Sequence, residues 1–251
     1  MGFLFSSVVS AEDAAEAARD IWGVEAVCMV DSSLSGSNTL SLSLENVEFQ
    51  CNCYAMPQPK DIYDFSQIKG ELFSDEEEQE KEDILNHKSY LTLSQKGGGS
   101  TLEDKRHICR LFTRLAGGLM KREDAVGVFI PALEDLMISR RVYVSYASDL
   151  EKYLEVPEYF PAPLWVGIVH CFSAGRSVIC TTGLRQFGFL ELAFLEPASD
   201  WTEVHPKLYL MSIYQITGKD LYKDKDTIVF PDGNKCVFKV ELGILYIMGV
   251  D

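Results

Sequence analysis

Positive charge is what this chain has least of. Across 251 residues, 23 Lys and Arg stand against 38 Asp and Glu, for a net charge of −15. A protein that holds phosphate backbones needs a basic footprint, so the composition argues against nucleic-acid binding and against attraction to an anionic membrane surface. A basic protein partner is the association such a surface favours. Long apolar runs are missing too, and no stretch reaches the roughly 18 residues of a membrane span. The opening MGFLFSSVVSAEDAAEAARD lacks a basic n-region and reads as a strand followed by an acidic helix, not as a signal peptide. Gly2 sits in an apolar, strand-like context that gives a myristoylation signal little weight.

Signatures of metal and nucleophilic chemistry are absent as well. The seven cysteines, Cys28, Cys51, Cys53, Cys109, Cys171, Cys180 and Cys236, show no CxxC pairing. Their odd number and scatter suit a reducing compartment, so free thiols and a cytoplasmic location are expected. His87, His107, His170 and His205 form neither HExxH nor HxH, and there is no GxSxG elbow. Gly97-Gly98-Gly99 is followed by no Gly-Lys-Ser/Thr and does not match GxGxxG, so it reads as a connector and not as a phosphate cradle. His170 and Cys171 are adjacent on a strand and point to opposite faces; His107 and Cys109, two apart on a helix, diverge. No metal, no cofactor and no catalytic set is expected.

What is present is alternation and periodicity. Phe3–Phe5 reads as a strand, and Ser10 as an N-cap with Asp13 completing an acidic capping box for a helix ending near Trp22-Gly23. Strands are expected over Val24–Val30, Thr39–Leu44 and Val47–Ala55, with Ser35–Asn38 as a turn and with Cys51 and Cys53 on one strand face. His87–Gln95 returns to strand. Leu102–Lys121 carries Ile108, Leu111, Phe112, Leu115 and Leu119 at helical spacing. Ala125–Pro131 reads as a strand and Ser139–Leu154 as a helix. Strands follow at Leu164–Phe172, Ser177–Thr181 and Phe189–Leu195, then a helix at Trp201–Leu221. A hairpin closes across Pro231-Asp232-Gly233-Asn234, and Ile244–Met248 docks on the sheet. This order predicts an α+β fold: mixed, largely antiparallel sheets with packed helices. The chain is read as one unit over 1–251, with halves 1–96 and 101–251 joined at Gly97–Gly99 and shaped as split βαβ (ferredoxin-like) units.

Five short motifs occur in order: His87-Lys88-Ser89-Tyr90, Leu115-Ala116-Gly117-Gly118-Leu119, Ala125-Val126-Gly127-Val128, Pro163-Leu164-Trp165-Val166-Gly167 and Thr181-Thr182-Gly183-Leu184-Arg185-Gln186-Phe187-Gly188. Together they resemble the bacterial family called domain of unknown function 4261, best from about His87 to Leu242. The resemblance implies no established activity and assigns no catalytic residues. The acidic stretch Asp75–Asp83 and the tail after Leu242 depart from it.

Two segments are candidate functional surfaces. The corner Thr181–Gly188 offers the hydroxyls of Thr181 and Thr182, backbone amides around Gly183 and the guanidinium of Arg185 to an anionic group. The competing reading is a tight turn with Gly183 at positive φ and Arg185 paired to a local carboxylate. Asp75, Glu76, Glu77, Glu78 and Glu80 form an acidic run that is either a solvated helical face or bait for a basic partner. The functional expectation is a non-enzymatic protein of immunity or accessory type, acting by protein–protein contact through an acidic surface. The alternative is a small-ligand-binding protein or hydrolase using the Thr181–Gly188 corner.

Overall fold

The computed structural model describes residues 1–23, 26–31, 38–59, 77–97, 99–130, 137–145, 160–173, 176–195, 201–219 and 221–249. It is an α+β protein built on two largely antiparallel sheets. The chain divides into two compact units, one of residues 1–100 and 107–152, the other of residues 101–106 and 153–251.

The first unit holds a seven-stranded sheet in the order β2-β3-β4-β5-β1-β6-β7, with every neighbouring pair antiparallel. Its strands are β1 (Gly2–Phe5), β2 (Val27–Asp31), β3 (Asn38–Leu44), β4 (Val47–Tyr54), β5 (Ser89–Lys96), β6 (Ala125–Phe129) and β7 (Met137–Ser139). Alternation sends Leu40, Leu42 and Leu44 to one buried face, together with Phe49, Cys51, Cys53, Leu91 and Leu93. Helix α1 (Ala11–Trp22) packs on that face, and α3 (Leu102–Met120) lies beside it, touching both the sheet and α1. Phe112 of α3 meets Phe49 edge-on, with ring centroids 4.9 Å apart. Gly118 lets α3 approach α1, since a Cβ there would stand 2.4 Å from the Ile21 side chain.

The opposite face carries α2 (Glu77–Leu85), whose Ile84 joins a buried cluster of Leu4, Tyr90 and Phe129. Gly2 matters here, because a Cβ on it would fall 2.1 Å from the Phe129 ring. β1 and β2 run parallel across α1 with β5, β4 and β3 between them, a wider spread than the single intervening strand of a ferredoxin-like split βαβ half. After β7 the chain is helical over residues 140–145 (α4), so Ser139 ends a strand instead of starting the expected helix. The rest of that expected helix lies outside the described residues, as do residues 35–37 of the expected Ser35–Asn38 turn, whose last residue, Asn38, begins β3.

The second unit holds a six-stranded sheet in the order β11-β12-β13-β10-β9-β8, a different order from that of the first. Its strands are β8 (Gly167–Ser173), β9 (Arg176–Thr182), β10 (Glu191–Leu195), β11 (Thr227–Val229), β12 (Lys235–Glu241) and β13 (Ile244–Gly249). Only β10 and β13 run parallel; the other pairs are antiparallel. The late apolar tail is therefore an internal strand, flanked by β10 and β12. Helix α5 (Trp201–Thr217) packs on β9 and β10 and stops at Gly218, which takes φ 75°. The hairpin turn closes as expected from its Pro and Gly. Gly233 takes φ 85°, its N–H donates to Phe230 O at 2.9 Å, and Lys207 of α5 reaches Asp232 at 2.6 Å.

Candidate functional site

The Thr181–Gly188 corner links the end of β9 to β10. Gly183 takes φ 108°, a left-handed conformation that a side chain disfavours, and residues Leu184–Phe187 then form one 3-10 turn capped by Gly188 at φ 91°. Leu184 and Phe187 point inward, and Phe187 meets Phe160 edge-on at 5.3 Å. Gln186 Nε2 donates to Trp165 O at 2.9 Å, which fastens the corner to the segment before β8, where Trp165 itself is buried.

The amides that this corner was expected to present are already in use. Glu191, the first residue of β10 and only 8% exposed, turns its carboxylate back into the turn. Oε1 accepts from Gly183 N–H at 3.0 Å and from Arg185 N–H at 3.1 Å; Oε2 accepts from Leu184 N–H at 3.2 Å and from the Thr181 hydroxyl at 2.8 Å. Thr181 Oγ1 in turn accepts from Leu192 N–H at 2.8 Å. Three successive backbone donors and one hydroxyl thus surround a tethered anion. Glu191 was missed in the sequence; its one signal is a carboxylate heading the otherwise apolar run Glu191–Leu195.

The remaining candidates at this corner divide. Thr182 is half-buried, with its methyl over β8 at Gly167, where an added Cβ would lie 2.8 Å away. Arg185 is exposed, its guanidinium near Gly243 of the β12–β13 turn, and it makes no ion pair among the described residues. The expected pairing of Arg185 with a local carboxylate is therefore not seen among them.

The acidic run falls partly outside the described residues, which exclude Asp75 and Glu76. Glu77 begins α2. Glu78, Glu82 and Asp83 are exposed, whereas Glu80 is half-buried and accepts from Arg141 Nε at 2.9 Å. Glu80 is thus spent within the first unit, and the outward charge belongs to its neighbours.

Of the His–Cys neighbours in sequence, the pair His107 and Cys109 lies wholly within the described side chains, and the two diverge. Cys109 is buried while His107 stands at the surface facing Glu45 at 3.6 Å. His170 is exposed on β8. Cys51 and Cys53 share a face as expected, with sulfurs 4.0 Å apart; their mutual contact and burial push the Cys51 thiol well up. Burial likewise pushes Cys109 up, and a thiol held protonated is a poor nucleophile. Among the described residues no three His, Cys, Asp or Glu side chains come together as a metal ligand set. No described helix is long and apolar enough to cross a membrane.

A further charged cluster among the described residues centres on Arg122, which sequence patterning does not mark. At the end of β1, Arg122 donates to both oxygens of Asp124 at 2.9 and 3.0 Å and to Asp13 at 2.8 Å. The Ser7 hydroxyl donates to Asp124, and Ser10 closes the capping box on Asp13. One guanidinium between two carboxylates leaves no positive charge for an external anion. The cluster pins the head of α1 to the β1 and β6 ends. A cleft of about 510 Å³ beside β11, lined by Leu221, Tyr222, Lys225, Asp226, Thr227 and Ile228, gathers none of the candidate residues. Compared with family models, characterised proteins and solved structures, the chain matches none.

Proposed function

We propose that this chain is a non-catalytic interaction protein that meets a basic protein partner through acidic surface, α2 being the described part of that surface. One observation carries the reading. α2 is held to the sheet by Ile84, which is fully buried, and by the Glu80–Arg141 pair, while Glu78, Glu82 and Asp83 face solvent. Acidic side chains on an anchored helix lose less freedom on binding than those on a loose tail, and they steer a basic partner into encounter. The net charge of −15 acts in the same direction at longer range.

The test is capture from native lysate by the wild type and by a Glu78→Lys/Glu82→Lys/Asp83→Lys variant. The expected result is a basic protein recovered by the wild type and lost both in the variant and at about 0.5 M salt, where exposed charges are screened. Equal recovery by wild type and variant overturns the reading. An affiliation with the bacterial family of domain of unknown function 4261, and a role of immunity or accessory type, belong to the same proposal and bring no activity with them. The ligand or hydrolase reading of the Thr181–Gly188 corner is the weaker one, because Glu191 already holds its amides.

A further inference from the structure

The corner that Glu191 closes from within is furnished differently on its outer side. Arg185 turns its guanidinium toward the β12–β13 turn, with Nη2 3.9 Å from where a Cβ on Gly243 would stand. Lys105, half-buried in the first turn of α3 and part of the second unit, brings Nζ to 3.8 Å from the same point on Gly188. Gly188 N–H donates to Arg185 O at 2.9 Å, so the two cations belong to one turn. Neither makes an ion pair among the described residues. Carboxylates close to them in the chain or sheet are engaged: Glu191 by its four donors, Glu241 by Lys239 at 3.2 Å, and Asp104 by the Thr101 N–H at 3.0 Å.

Exposed leucines stand beside these cations. β10 and β13 run parallel with Glu191 opposite Ile244, and the residues just before that pair are Leu190 and Gly243. Leu190 is exposed, and Leu242, the other residue of the turn, is 75% exposed. Leu242 takes φ 50° and Gly243 φ 77°, a two-residue hairpin turn that favours Asn or Gly in both places. A branched apolar side chain resists the left-handed region, and at this exposure it gains little packing in return. The β3–β4 turn shows the contrast. There Glu45 takes φ 47° beside Asn46 at φ 68°, and the Glu45 carboxylate accepts from Trp22 Nε1 at 3.3 Å. The strained residue of that turn is used inside the fold, whereas Leu242 points away from it.

We propose that this end of the six-stranded sheet docks the free C-terminus of a partner protein that ends in an apolar residue. The carboxylate meets Arg185 and Lys105, and the last side chain lies against Leu190 and Leu242. A guanidinium receives a carboxylate through two parallel N–H bonds. A chain end carries both groups on one residue with a single negative charge; a longer acidic segment would be repelled at range by the net charge of −15. Small ligands are held in concave pockets, whereas a turn tip with an outward Leu suits a partner that brings its own concavity. Backbone amides that could capture a chain end are filled here by Glu191, so side chains carry the recognition. The site belongs to the second unit and does not rest on the reading of α2.

Titration of ¹⁵N-labelled protein with the acetylated peptide Gly-Ser-Gly-Ser-Leu-Leu, bearing a free carboxylate, tests this by NMR. Half-saturation is expected at about 1 mM, with shifts confined to the amides of residues 185–190 and 242–243 and to the Arg185 Nε–H. The C-amidated peptide, and an acid ending in Ser-Ser, should each bind at least about tenfold more weakly. Arg185→Ala/Lys105→Ala should abolish the shifts at residues 242–243. Leu242→Asn separates function from folding: Asn accepts the left-handed turn, so the thermal midpoint should rise while the affinity falls about fivefold. Absence of shifts up to about 10 mM, equal binding of the amidated peptide, or unchanged affinity in Leu242→Asn overturns the proposal.

Discussion

At the head of α1, Asp13 closes on Ser10, three residues away, and shares its second oxygen with Arg122; at the β9–β10 corner, Glu191 closes on three amides six to eight residues away and on no cation among the described residues. Asp13 is near enough to solvent for water and a guanidinium to compensate it, with about 29% of its side chain exposed. Glu191, at 8%, relies on the donors of the turn it completes. The difference separates an adjustable cap from a fixed plug. A carboxylate tethered to a central strand and matched by four donors leaves no room for a competing ligand, so this nest serves the fold.

Replacing Glu191 is the sharpest way to break that contrast. Glu191→Gln keeps the volume but turns an NH₂ toward donors, leaving one or two backbone N–H groups unmet in a buried site, and should cost the second unit about 3 kcal/mol. Chemical denaturation together with hydrogen exchange at residues 183–185 measures this. A loss under about 0.5 kcal/mol would mean that water replaces the carboxylate, and the corner would again be open to an outside anion.

The Asp13 side should respond through pH. Partial burial pushes the Asp13 carboxyl up, but the Ser10 hydroxyl and amide with Arg122 outweigh it, and Asp13 titrates below its ordinary value of 3.8. Asp124 is lowered as well, chiefly by its bonds to Arg122, against partial burial and with help from Ser7. Groups lowered on folding contribute stability above their unfolded value and lose it as the pH falls through the folded one. Arg122→Met should therefore be less stable than wild type by a constant amount above about pH 5, with the gap closing below about pH 4. A gap independent of pH down to about 3 would show that Arg122 acts by packing alone.

Local features of this fold are legible in the sequence, and long-range ones are not. The capping box is legible in the sequence because its two members, Ser10 and Asp13, lie within one helical turn. Leu40, Leu42 and Leu44, the Phe112 stripe and the Pro231–Asn234 turn were legible for the same reason, since period and turn chemistry are local properties. Glu191 was not, because nothing within three residues of it shows that its carboxylate turns back into the preceding corner. Arg122 was missed because it joins Asp13 over 109 positions. The Gln58–His87 bond spans 29 positions and places a backbone N–H, which leaves no mark in sequence, on the ring. Strand order was hidden likewise: β13 reads as a late apolar tail, yet it lies between β10 and β12.

The three smaller expectations test the local cap and the outer part of the corner. Ser10→Ala removes the hydroxyl that accepts from Asp13 N–H at 3.3 Å and donates to its carboxylate at 2.6 Å, and should cost about 1 kcal/mol, the usual worth of an N-cap. Arg185→Ala should change stability by less than about 0.5 kcal/mol, because the guanidinium is exposed and unpaired among the described residues and only its backbone amide serves Glu191. Thr182→Ala should cost slightly more, since its methyl packs over Gly167. Thermal shift with inorganic phosphate or acetate makes Arg185 decisive: a ligand stabilises only the state it binds. Stabilisation of the wild type that vanishes in Arg185→Ala would assign an anion site outside the Glu191 nest. An equal response in both leaves Arg185 as a solvated cation on an acidic protein, and the corner as structure.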